Sequence, residues 1–108
     1  MVRSSKVNKG NLVGRISEAD KRALADLKQG EPILWAMVMG HGSRSNIAAA
    51  LGRTISGVEE DIEALRTAGY IQLFNGQQHS PVYKFNRHCK DREYMEEILR
   101  LRGVVRGK

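Results

Sequence analysis

Seven consecutive apolar residues, Ile33-Leu34-Trp35-Ala36-Met37-Val38-Met39, constrain this chain more than any other segment. Pro32 stands directly before them, and proline suits the first position of a helix because its missing N–H has no intrahelical partner there anyway. Gly40-His41-Gly42 ends the run. A helix that is apolar on every side has to be covered on every side. The remaining elements must therefore wrap around this one, forming a single core. The run is far short of the roughly 20 residues that cross a bilayer, so no membrane span is expected.

The flanking segments supply suitable cover. Ser17 reads as an N-cap with Asp20 at N3, and Ala23, Leu24 and Leu27 form a stripe that Gly30 ends. Ser45 caps a short helix over residues 46–51, broken by Gly52. Ser56 caps the next, with Glu59 completing an S-x-x-E box. Val58, Ile62 and Leu65 fall at i, i+4 and i+7 on one face of that helix, and Gly69 closes it in a left-handed conformation. Residues 70–74 and 82–85 read as two strands of a hairpin, joined by a loop of about seven residues that begins at Asn75-Gly76. A last helix over residues 90–102 carries Tyr94, Ile98 and Leu101, widened by Met95 and Leu99, and Gly103 ends it. The expected class is mainly α with a small β-hairpin (α+β). At 108 residues the chain is one domain. Residues 1–16 form a basic flexible arm with Arg3, Lys6, Lys9 and Arg15 and no acid, residues 17–102 the folded unit, and residues 103–108 a loose basic tail.

Charge and cysteine content narrow the function. Eighteen basic residues against twelve acids leave a net charge of +6, which favours an anionic partner, nucleic acid first. The lone Cys89 cannot form an internal disulfide, which fits the cytoplasm. His41, His79, His88 and Cys89 lack metal-ligand spacing, so no metal is expected. No Gly-rich phosphate loop or nucleophile elbow is present. The chain is therefore read as a non-enzyme without a cofactor.

The segment over residues 45–85 contains the runs I-A-x-x-L-G at Ile47 to Gly52, V-x-x-x-I-x-x-L at Val58 to Leu65 and A-G-Y-I at Ala68 to Ile71. In these runs the chain resembles the winged helix-turn-helix regulators of bacteria and archaea, of the MarR-like and small archaeal or phage repressor type, with extra helices at both ends. The resemblance implies a double-stranded DNA-binding transcriptional regulator, a repressor acting as a homodimer. Carried onto this chain, it places Arg53, Thr54, Ser56, Gly57 and Glu60 at base edges and Arg44, Ser45 and Asn46 on phosphates. Gln77, Gln78 and His79 fall in the wing loop, with Lys84 and Arg87 close behind. The arm would enter a minor groove. In such families the helices outside the motif pair two copies, here through Leu24, Leu27, Tyr94, Met95, Ile98 and Leu101. One feature departs from the pattern. Residues 57–69 carry Glu59, Glu60, Asp61 and Glu63 against Arg66 alone, where family members usually carry basic or polar residues. That acidic helix motivates an alternative, a winged helix serving as a protein-interaction module that docks a basic surface.

Overall fold

The computed structural model describes residues 16–75 and 81–106. Among them the order is α1 (Glu18–Gly30), α2 (Pro32–Val38), α3 (Arg44–Leu51), α4 (Ile55–Ala68), β1 (Ile71–Asn75), β2 (Val82–Phe85) and α5 (Arg92–Val105). The chain is thus mostly helical with one two-stranded antiparallel sheet, in the element order expected from the sequence. The arm at residues 1–15, the loop at 76–80 with Gln77, Gln78 and His79, and residues 107–108 lie outside the described residues. Among the described residues no helix is long and apolar enough to cross a membrane.

The apolar helix sits where its composition requires. Ile33, Leu34, Ala36, Met37 and Val38 are all buried, and Leu34, Ala36 and Val38 are fully so. Each large side chain removed from water contributes about 1.5–3 kcal/mol. The cover is incomplete at two points. Met39 lies beyond the helix and is exposed, and Trp35 is half-buried with the Lys28 ammonium 4.6 Å from its ring centroid.

Helices α1, α3, α4 and α5 all pack against α2. Ser17 caps α1 as expected, its hydroxyl accepting from the Asp20 N–H at 3.1 Å. Ile16, counted with the arm in the sequence reading, packs against the core instead. The Arg100 guanidinium of α5 reaches the Asp20 carboxylate at 2.9 Å and the Glu97 carboxylate at 2.8 Å, tying α5 to the start of α1. Two residues on, Arg102 donates to the Met37 carbonyl at 2.7 Å and ties α5 to the end of α2. Tyr70 fixes the first turn of α5, donating to Asp91 at 3.3 Å and meeting the Tyr94 ring edge-on at 5.8 Å.

Three expectations need correction here. Leu24, Leu27, Met95, Ile98 and Leu101, assigned above to a homodimer face, are buried in the chain's own core, and Tyr94 of that set is half-buried against it. An amphipathic stripe demands cover without saying whose, and α2 provides it within the chain. Gly103 does not end α5, which continues through Val105, and Val105 still packs against the core. The loose tail therefore cannot begin at residue 103. Finally, α5 starts at Arg92 rather than Lys90.

The hairpin pairs Ile71 with Phe85, Gln72 with Lys84 and Leu73 with Tyr83, then slips by one residue so that Asn75 faces Val82. That slip leaves Phe74 as the extra residue, and it is 64% exposed. The free edge of β2 is tied to the entry of α3. Tyr83 N–H donates to the Gly42 carbonyl at 2.8 Å, and Arg44 N–H to the Pro81 carbonyl at 3.0 Å.

Arg100 holds the Asp20 carboxyl below the usual carboxylate range. The folded pKa lies below the unfolded one, so the pair's stabilisation is complete above about pH 4 and is lost as pH falls through the folded value. Asp20→Asn should melt lower than the wild type at neutral pH, with the two curves converging in acid. Gly103, inside a helix, costs about 0.5–1 kcal/mol relative to alanine, and a Cβ added there meets no atom within 4 Å. Gly103→Ala should raise the unfolding free energy by that amount in a denaturant titration.

Candidate nucleic-acid interface

The surface assigned by resemblance to a duplex is built on α3, residues 52–54 and α4. Gly52 ends α3 in a left-handed conformation (φ +65°), and Gly69 ends α4 in the same way (φ +92°), both as expected. A side chain at either position would be strained. After Gly52 the chain turns within two residues into α4. Val58 and Ile62 are fully buried and Leu65 nearly so, so the helix is held by one face, while residues 52–57 are all exposed at its amino end.

The caps differ from the sequence reading by two residues each. Ser43, not Ser45, caps α3, its hydroxyl accepting from the Asn46 N–H at 3.1 Å. Ser43 is held extended by its bridge to Val82, which places the start of the helix at Arg44. Thr54, not Ser56, caps α4, accepting from the Gly57 N–H at 2.9 Å. Gly57 makes that cap possible, since a Cβ at this position would lie 2.9 Å from the Thr54 hydroxyl. Ser56 is consequently a first-turn residue, and Glu59 is free of any capping duty.

Glu59 instead holds Arg44. One guanidinium nitrogen of Arg44 meets the Glu59 carboxylate and the other lies 3.3 Å from the Tyr83 hydroxyl, joining α3, α4 and β2. The Tyr83 hydroxyl, with Glu59, pushes the Arg44 pKa further up. The other acids of α4 are used similarly. Arg53 reaches the Asp61 carboxylate at 3.0 Å and also donates to the Gly57 carbonyl. Arg66 contacts both oxygens of Glu63 at 3.0 Å. Glu60 makes no ion pair among the described residues and is exposed. The acidity of α4 thus mostly positions arginines, a role the sequence reading missed. The spacing from Arg53 to Asp61 across a turn and the i, i+3 spacing of Glu63 and Arg66 were its visible signals.

Arg44 and Ser45, half-buried, and Asn46, exposed, stand at the start of α3. Arg53, Thr54, Ser56, Gly57 and Glu60 form one contiguous exposed strip. Lys84 does not join them. Tyr83 reaches toward Arg44, and successive strand residues face opposite ways, so Lys84 lies on the other face of the sheet, near the Phe74 ring at 5.4 Å. There it lines a groove with Arg87, Arg102 and Arg106. Neither Arg102 nor Arg106 was singled out from sequence; two arginines at i, i+4 beside a mid-helix glycine were the available sign. Cys89 is buried and unpaired. Among the described residues no cluster of His, Cys, Asp or Glu has the makings of a metal site.

Removing the Thr54 hydroxyl leaves the Gly57 N–H without its cap. Thr54→Ala should cost about 1 kcal/mol of stability by denaturant titration, and Thr54→Ser should retain most of it.

Compared with known proteins, the chain matches no family model, no curated protein and no solved structure.

Proposed function

We propose that the chain is a winged helix-turn-helix regulator that binds double-stranded DNA in a sequence-specific way, and that it represses by occupying its site. The observation that carries this reading is the amino end of α4. It protrudes, exposed over residues 52–57, while Val58, Ile62 and Leu65 anchor the opposite face. A short helix precedes it across a tight turn and an antiparallel hairpin follows, the arrangement in which a helix can be offered to a major groove.

The ion pairs of α4 bear directly on the charge problem. Arg53 and Asp61 are both more than a third exposed. Such a pair is worth about 0–1 kcal/mol, so Arg53 exchanges Asp61 for a phosphate or a guanine edge at little cost. Glu60, which makes no ion pair among the described residues, can accept from a cytosine amino group. The same pairing weakens the alternative of an acidic docking helix, because three of its four carboxylates are already satisfied within the chain. The homodimer is not part of the proposal, since the residues that motivated it are core residues.

Arg53→Ala should weaken binding to the preferred duplex by about 1–3 kcal/mol and relax sequence preference if the side chain reads a base. Asp61→Asn should tighten binding by releasing Arg53 and removing a repelling charge. Fluorescence anisotropy on duplexes selected from a random pool measures both. Absence of duplex affinity even in dilute salt overturns the reading.

A further inference from the structure

A second surface stands apart from α4. Between the end of β2 and the last turns of α5 lies a groove of about 390 Å³ lined by Lys84, Phe85, Arg87, Leu99, Arg102, Gly103 and Arg106. Four of these seven residues are cationic and none is acidic. None of the four makes an ion pair among the described residues, although Arg44, Arg53, Arg66 and Arg100 all do.

Arg102 in the last turn of α5 and Arg106 at its C-cap stand four residues apart, and their like charges repel. Burial, together with Arg106, pushes the pKa of Arg102 down. Gly103 lies between them inside the helix and leaves open space where a side chain would stand. The Met37 carbonyl holds one nitrogen of Arg102 and fixes the direction of its guanidinium. Repelling charges, a partly desolvated arginine and a helix-weakening glycine converge on one concavity. An anion seated there relieves the first two and uses the third.

We propose that this groove is a binding site for a polyphosphate. A single carboxylate would neutralise one of four cations, whereas linked phosphates offer several charges at short spacing and accept paired hydrogen bonds from guanidinium groups. Phe85 and Leu99 give the site an apolar floor. The phosphates have two possible sources, the backbone of a nucleic acid and a free polyphosphate such as a nucleoside triphosphate. The inference does not rest on the reading of α4, because the groove is tested without DNA.

Sodium tripolyphosphate is titrated calorimetrically into the full-length chain at low ionic strength. Saturable one-to-one binding is expected, weakened at least tenfold by Arg87→Gln with Arg106→Gln, and abolished by Gly103→Glu. Arg87 and Arg106 are exposed and make no ion pair among the described residues, so the double variant keeps the test valid should Gly103→Glu fail to fold. A charge-matched control, Arg22→Gln with Lys28→Gln, should bind as the wild type does. Equal loss in that control, no binding at millimolar tripolyphosphate, or equally tight binding of polyglutamate overturns the proposal. The same variants titrated with duplex distinguish the sources. Weakened duplex binding with displacement by tripolyphosphate assigns a nucleic-acid backbone, and unchanged duplex binding assigns a free ligand. A chain that binds tripolyphosphate but no duplex removes the α4 reading and keeps this one.

Discussion

The whole structure depends on the burial of one short helix. Helix α2 has no polar face, so it imposes on its neighbours the task of covering Ile33, Leu34, Ala36, Met37 and Val38. Every other described helix is amphipathic and lends it one stripe: Leu24 and Leu27 from α1, Ile47 and Ala48 from α3, Val58, Ile62 and Leu65 from α4, and Met95, Ile98 and Leu101 from α5. What those helices do with their other faces is left open by the core. This freedom allows one side of the molecule to display an acidic, arginine-bracing helix and another to gather cations that have no ion pair among the described residues.

Arginine is used in two opposite ways. Arg44, Arg53, Arg66 and Arg100 are each paired with carboxylates, and they fix helix positions. Arg102 and Arg106 are set against each other. Composition registers both groups only as basic residues and so hides the distinction. The net charge of +6 is therefore unevenly placed: residues 43–75 hold three bases and four acids, and residues 81–106 seven bases and four acids.

Much of the fold was legible because it rests on periodicity. The buried face Val58–Ile62–Leu65, the enclosure of α2 and the bounds of β2 follow from local pattern, and the structure reproduces them. What was not legible depends on contacts between distant residues. Ser43 and Ser45, or Thr54 and Ser56, are equally good caps by type. The bridge to Val82 selects the first, and the missing side chain at Gly57 selects the second. Apolar stripes on α1 and α5 announce burial without naming the surface that buries them, so core residues read as an interface. The candidate strip on α4 was found by resemblance, but the acids Glu59, Asp61 and Glu63 were unintelligible until each was seen beside its arginine.

The position of α5 has a consequence for biosynthesis. Its residues Met95, Ile98 and Leu101 complete the cover of a helix that leaves the ribosome some sixty residues earlier. Until they arrive, the nascent chain carries its most oil-like segment with one flank uncovered. Translation thus creates an interval in which a holdase or a neighbouring nascent chain competes with α5 for the same ground.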